Sequence, residues 1–223
     1  MRVKRGRGWT RIYADECGFF DTKGTRRKVS EVSKVSTVSY ELPCNLPMPN
    51  DDGGARHLEG LRLPSIFLAS TSGRLVDLAE LSGRTVLYCY PRTGRPGVEQ
   101  PAGWSEIPGA VGCTPQSCAF RDHYRELQAF GARVFGLSTQ DSDYQREAVA
   151  RLHLPFELLS DNRLEFARAI GLPVFEIDAM TLIKRITLIL RDGLVEEVFY
   201  PVFPPDKNAE EVITWLAERL EKN

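Results

Sequence analysis

The run Gly112-Cys113-Thr114-Pro115-Gln116-Ser117-Cys118-Ala119-Phe120-Arg121-Asp122 sets two thiols five residues apart at the mouth of a helix. Pro115 suits a first helical position, Thr114 the N-cap before it, and Cys118 to Leu127 are helix-compatible. Cys113 then falls at the helix entrance, where unpaired backbone N–H groups and the positive dipole end favour an anion. A thiolate is such an anion, and stabilising it makes a cysteine nucleophilic at neutral pH. Five residues on an intact helix advance about 7.5 Å and rotate roughly 500°, so the two thiols point apart. Disulfide geometry asks for Cα atoms within about 7 Å, so bridging them requires the first turn to unwind.

Upstream, Pro91–Gly112 is rich in proline and glycine and shows neither helical nor strand period. Loops of this length inside a domain are uncommon and usually functional, and this one leads straight to Cys113. Thr85–Tyr90 before it is an apolar run bounded by Gly83 and Pro91, which predicts a buried central strand. Leu63–Asp77 reads as two short strands joined at Ser72-Gly73. Downstream, a helix is expected from Pro115 to Phe130, burying Cys118, Phe120, Tyr124, Leu127 and Phe130. A strand follows at Arg133–Ser138, then helices at Asp143–Leu152 and Arg163–Ile170, the latter ended by Gly171. Lys184–Arg191 and Leu194–Tyr200 flank Asp192-Gly193, a strong hairpin signal. Asn208 is expected to cap a last helix reaching about Glu221, with Val212, Trp215, Leu216 and Arg219 at helical spacing. Strands alternating with helices predict an α/β sandwich.

The chain has 223 residues, 42% of them hydrophobic, and a net charge of −1, which describes a globular core rather than a polyelectrolyte. No apolar run approaches the ~18 residues of a membrane span. Five cysteines do not make a disulfide scaffold at this length, and the odd count suits a reducing compartment. Residues 1–34 hold ten Lys or Arg against four Asp or Glu, with little apolar periodicity. The apolar core of a secretory signal is absent, and Asp15, Glu16 and Asp21 argue against an organellar transit peptide. Residues 1–60 are therefore expected to be an extension outside the folded domain, with Met48 a natural start, and residues 61–223 the domain itself.

The cysteine run resembles that of the peroxiredoxins, specifically the peroxiredoxin Q (bacterioferritin-comigratory) branch, which reads Pro-Gly-Cys-Thr-x-Glu-x-Cys-x-Phe-Arg-Asp. Gly112, Cys113, Thr114, Cys118, Phe120, Arg121 and Asp122 match, and Gln116 stands where the family usually has Glu. Leu63–Leu68, Gly73, Val86–Pro91, Phe135–Asp141, Leu154–Asp161 and Lys184–Ile189 resemble family segments in the same order. The resemblance implies a thioredoxin-like fold with an added N-terminal β-hairpin, a three-layer α/β/α sandwich. It further implies a thiol-dependent peroxidase. Cys113 would attack a hydroperoxide and become a sulfenic acid, Cys118 would resolve it as a disulfide, and thioredoxin or a similar thiol would reset the pair. Arg185 would hold the thiolate and polarise the peroxide, with Pro91 and Arg121 supporting the pocket. No cofactor or metal is implied; the expected setting is cytoplasmic, without nucleic-acid or membrane partners, as monomer or homodimer.

One departure stands out. The family pattern places a Thr or Ser three residues before the first cysteine, and here that residue is Ala110. Thr93, if the loop folds back, and Thr114 are the two hydroxyls that stand as replacements. Cys89 lies in an apolar strand and reads as packing; Cys17 and Cys44 belong to the extension. Cys113, Cys118 and His123 step along one helix by five residues and so diverge, and Cys-x-x-Cys is absent, which weighs against a metal site and a general disulfide oxidoreductase. Two rivals remain from other classes: a copper-delivery protein on the same fold and a non-catalytic redox sensor.

Overall fold

Continuous burial along the strand after Gly83 organises the molecule. In the computed structural model, which describes residues 42–43 and 45–220, this strand is β3 (Arg84–Cys89), and Val86 to Cys89 are fully buried. Side chains of a strand alternate between faces. Leu87 and Cys89 join a core that includes Phe166, Ala167 and Ile170, whereas Tyr88 points the other way and stacks on Phe120 with ring centroids 4.5 Å apart. Both faces of the sheet are thus covered, which is why β3 is apolar without interruption from Val86 onward.

Two short strands, β1 (Phe67–Ser70) and β2 (Leu75–Asp77), precede β3 and pair antiparallel across the turn at Gly73, where φ is 87°. After the long loop come α1 (Cys113–Asp122), α2 (Tyr124–Ala129), β4 (Ala132–Ser138), α3 (Ser142–Leu152), β5 (Glu157–Ser160) and α4 (Glu165–Ile170). The chain continues through β6 (Val174–Ile177), β7 (Met180–Ile183), β8 (Ile186–Arg191) and β9 (Leu194–Phe199) to α5 (Asn208–Leu220). Among the described residues seven strands form one sheet in the order β2-β1-β5-β4-β3-β8-β9, and β6 and β7 form a separate hairpin. Strand β3 runs parallel to β4 and antiparallel to β8, which brings the start of α1 beside the start of β8. The expected three-layer, thioredoxin-like α/β architecture is the one observed.

Local signals explain most of these elements. Asp141 caps α3 by accepting from the Tyr144 N–H at 2.7 Å, and Gly171 ends α4 with φ of 68°. Asp192 and Gly193 take φ of 50° and 75°, the paired positive values that a tight hairpin turn requires. Two expectations need correcting, and one hairpin was not expected. The helix expected over Pro115–Phe130 is divided at His123, whose ψ of 8° leaves helical geometry for one residue. Hairpin β6–β7 carries no sequence signal, because its turn places Asp178 and Ala179 at φ of 46° and 58°, and alanine has no preference for that region. Asn208 opens α5, but its side chain turns into the core instead of capping the helix.

The extension expected over residues 1–60 falls largely outside the described residues, as do Cys17 and Cys44. Ala55 and Leu58 are buried in the main core, so packing begins ahead of residue 61. Among the described residues no helix is long and apolar enough to cross a membrane.

Gly136 in β4 leaves no room for a side chain. A Cβ there would lie 2.5 Å from Leu158 Cδ2 and 2.7 Å from the Tyr88 ring. Overfilling a packed site costs about 1–3 kcal/mol. Gly136→Ala is therefore expected to lower the thermal midpoint by several degrees, and an unchanged midpoint would show that Tyr88 can retreat.

Candidate active site

Gly112 has φ 104° and ψ 16°, a left-handed conformation that glycine takes without strain, and it delivers the chain into α1. Cys113 is the first helical residue and Gly112 the N-cap, two positions earlier than the expected Thr114 cap. Pro115 is the third helical residue and is accommodated there because N–H groups of the first turn have no intrahelical partner to lose. The first closing bond runs from the Gln116 N–H to the Gly112 carbonyl at 3.0 Å.

Cys113 is 3% exposed. Its Sγ approaches the Ala110 carbonyl at 3.5 Å and accepts from Arg185 Nη2 at 3.2 Å. Arg185, also 3% exposed, lies at the bend between β7 and β8 and not within a strand as the sequence pattern predicted. The same Nη2 donates to the Ala110 and Val111 carbonyls at 3.2 and 3.1 Å, and Nη1 donates to Gln116 Oε1. Among the described residues no carboxylate pairs with Arg185, and its Nε finds no acceptor. An unpaired buried charge is costly. The Cys113 sulfur at 3.2 Å is the side-chain atom this guanidinium reaches where a carboxylate would otherwise stand.

Behind Arg185 the polar chain continues. Gln116 Nε2 donates to Asn208 Oδ1 at 3.0 Å, and Thr187 Oγ1 donates to the same oxygen at 2.6 Å. All three side chains are fully buried. Sequence reasoning noted Gln116 only as a departure from a family pattern and did not place Asn208 or Thr187 near the cysteine. Their partners come from other elements, so no spacing signal exists to find them.

Cys118 sits on the same helix, about 7.5 Å along its axis from Cys113 by the ordinary helical rise. Burial pushes its thiol up, an effect that nearby Arg121 opposes. Arg121 is anchored to the Leu152 carbonyl at 2.9 Å and to Asp122, beside the second thiol and not the first. Cys89, Cys113 and Cys118 are all free thiols. Full burial in β3 pushes the Cys89 thiol far up, which suits a packing residue.

The loop after the buried Pro91 is fastened at both ends. Arg95 stacks on the Tyr144 ring of α3, 3.9 Å from its centroid, and Arg151 donates to the Gly94 carbonyl at 2.9 Å. Trp104 forms a one-turn 3-10 helix with Ser105 and Glu106 and packs with Ala110 and Leu182 against Phe175 and Met180 of the β6–β7 hairpin. The Thr93 hydroxyl and N–H both engage Gln140 Oε1, at 3.1 and 2.9 Å, so this hydroxyl is committed to β4's flank. Thr114, second in α1, is partly exposed. Beside Arg185 a cavity of about 290 Å³ opens, lined by Ile107, Gly109, Phe175, Arg185, Tyr200 and Pro201 among others. Among the described residues no three His, Cys, Asp or Glu side chains gather as metal ligands, and His123 is instead 3.3 Å from Glu126.

Comparison with known proteins identifies the family. Residues 58–213 match the redoxin family. Peroxiredoxin Q, chloroplastic, of Oryza sativa subsp. japonica is 30% identical over 189 residues, spanning 82% of this chain and 79% of that protein. The Suaeda salsa protein of the same name is 32% identical over 164 residues, 73% of this chain and 69% of its own. Among solved structures, peroxidoxin BcpB from Mycobacterium tuberculosis superposes with a TM-score of 0.59 at 24% identity, covering 72% of this chain and 96% of that one. Xanthomonas campestris peroxiredoxin Q gives 0.55 at 22% identity, over 70% and 96%. These two superpositions show the shared fold, and the sequence matches show the kinship. The chain belongs to the redoxin family, within its peroxiredoxin Q branch, and is a peroxiredoxin.

Proposed function

We propose that this peroxiredoxin is a two-cysteine, thiol-dependent peroxidase in which Cys113 is the nucleophile, Cys118 the resolving thiol and Arg185 the electrostatic support. The Cys113 thiolate attacks one oxygen of ROOH. The O–O bond breaks, the departing alkoxide takes a proton and leaves as alcohol or water, and the sulfur becomes a sulfenic acid. The Cys118 thiolate then attacks that sulfur, the S–O bond breaks with loss of water, and a disulfide forms. An external dithiol of the thioredoxin type reduces the disulfide and is itself oxidised. The observation that carries this reading is the Arg185 Nη2 to Cys113 Sγ contact at 3.2 Å, made by a buried guanidinium without a carboxylate partner among the described residues.

The upward push that burial gives the Cys118 thiol supports the division of labour. A protonated thiol is a poor nucleophile, so peroxide meets Cys113 first. Resolution requires α1 to open at its first turn, and opening exposes Cys118 and frees it to ionise. The cavity beside Arg185, lined in part by Ile107, Phe175 and Pro201, supports substrates with an organic group as well as hydrogen peroxide. For the hydroxyl that the family pattern places before the cysteine, Thr114 is the better placed of the two threonines, since Thr93 is held by Gln140. A reducing compartment is required for turnover, and we assign the cytoplasm; the rice and Suaeda relatives are named chloroplastic.

Mass spectrometry after one equivalent of hydroperoxide tests the scheme. The parent is expected to carry one Cys113–Cys118 disulfide, and the Cys118→Ser variant a trapped sulfenic acid on Cys113. A disulfide through Cys89, or oxidation at Cys118 first, overturns it.

A further inference from the structure

Among the described residues that line the cavity beside Arg185, two carry a charge, Lys184 and Arg185 itself. Arg185 links the cavity to the sulfur, since its Nη2 stands 3.2 Å from Cys113 Sγ. Lys184, the preceding residue, spends its charge elsewhere. Its Nζ donates to Asp52 Oδ2 at 2.7 Å, while the Tyr200 hydroxyl and the Gly54 N–H donate to Asp52 Oδ1 at 2.8 and 2.9 Å. These bonds, the one from Lys184 foremost, hold the Asp52 carboxyl well below the usual carboxylate range, so it is an anion at neutral pH. Burial pushes the Tyr200 phenol up and keeps it neutral, and the nearby Asp51 carboxylate is turned onto the Gly53 N–H at 2.8 Å.

Asp52 belongs to a segment that lies ahead of the residues matching the redoxin family, and Pro49 and Asn50 of the same segment line the cavity. Pro49 meets the loop before α1, where a Cβ on Gly109 would lie 3.4 Å from its Cγ. At the other end Ala55 and Leu58 are buried in the main core. The segment is thus held on both sides of Asp52. The remaining walls, Ile107, Phe175 and Pro201 among them, carry no charge.

We propose that Asp52 is a specificity residue: paired with Lys184, it leaves the approach to Cys113 without a spare positive charge, so that hydroperoxides with an uncharged organic group are accepted and those bearing a carboxylate are disfavoured. This rests on reading Cys113 as the nucleophile and the cavity as the place of the organic group. In that reading the thiolate meets the charge of Arg185 and Asp52 meets that of Lys184, which leaves no cation for a substrate's own carboxylate. Charges a few ångströms apart in a partly hydrated site change local affinity severalfold.

The test compares alkylation of Cys113 by iodoacetate and by iodoacetamide, resolved by site with mass spectrometry. The two reagents are alike in size and reacting carbon and differ in charge. In Asp52→Asn, which keeps the shape of the side chain and an acceptor for Tyr200, the iodoacetate-to-iodoacetamide rate ratio is expected to rise about threefold to tenfold over the parent's. In Lys184→Gln, which strands the Asp52 anion, the ratio is expected to fall, and the double variant should return towards the parent. Lys184→Gln decides the matter should Asp52→Asn fail to fold. Turnover supplies the second readout. The parent should prefer cumene hydroperoxide to its para-carboxylate in kcat/KM, and Asp52→Asn should narrow that preference severalfold while leaving hydrogen peroxide reduction unchanged. A parent that reduces no peroxide removes the catalytic reading, and the alkylation ratios still decide the role of Asp52. Ratios equal to the parent's in every folded variant overturn the proposal, and so does a change that is the same for both reagents.

Discussion

Cys113→Ser is expected to lose hydroperoxide turnover by about a thousandfold or more while keeping its fold, the scale of loss that follows removal of an attacking nucleophile. Serine is close to cysteine in size, and its hydroxyl can still approach the Ala110 carbonyl and Arg185, so circular dichroism and the thermal midpoint should stay near the parent's. What changes is the reacting atom. A hydroxyl is almost wholly protonated at neutral pH and does not displace an alcohol from a peroxide bond, whereas a thiolate does. Cys118→Ser serves as the contrast. It should keep the first, single-turnover reaction with peroxide and lose recycling by a dithiol reductant. Peroxide consumption by Cys113→Ser at the parent's rate would remove that sulfur from the nucleophile's role.

Arg185→Met should have the second largest effect, slowing the reaction with peroxide by about a hundredfold to a thousandfold, as loss of a preorganised donor in a dry site typically does. The guanidinium makes four contacts, to Cys113 Sγ, to the Ala110 and Val111 carbonyls, and to Gln116. Methionine fills similar space and replaces none of them. Each carbonyl left buried without a donor costs about 1–3 kcal/mol, so a lower thermal midpoint should accompany the kinetic loss. Arg185→Lys separates charge from geometry. An ammonium supplies a positive charge but lacks the planar fork that reaches several acceptors at once, so it should recover only part of the rate. Parent-like kinetics in the methionine variant would mean that the sulfur needs no cation, and the electrostatic account would fall with it.

Backbone conformation is written locally. Gly112 fits the left-handed position that starts α1, and Asp192-Gly193 takes the two positive φ values of a tight turn. The continuous apolar run over Val86–Tyr90 marks a strand covered on both faces, and the structure buries it fully. The two thiols on one helix, and the need to unwind it before they can meet, follow from spacing alone. Where local signals conflicted, position in the helix decided the outcome. Pro115 suits a first helical position, but any place in the first turn tolerates a missing N–H, so the helix begins two residues sooner. The β6–β7 hairpin stayed hidden because its turn uses Asp178 and Ala179, and packing of Phe175 and Met180 against Trp104 holds what turn chemistry does not announce.

By itself the sequence determined the layered α/β fold, the helix that carries both cysteines and the position of Cys113 at its mouth, because dihedral preference and hydrophobic period are properties of neighbouring residues. The family resemblance points to Arg185, and the tertiary structure decides how the sulfur's surroundings are assembled. Arg185 reaches Cys113 across 72 residues and Gln116 meets Asn208 across 92, through the adjacency of β3 and β8 and the packing of α5 on α1. Thr93 is turned to Gln140 by the same kind of long-range contact, 47 residues away. Hydrogen bonds between buried side chains depend on which elements the sheet sets side by side, and no local pattern in the chain encodes that placement.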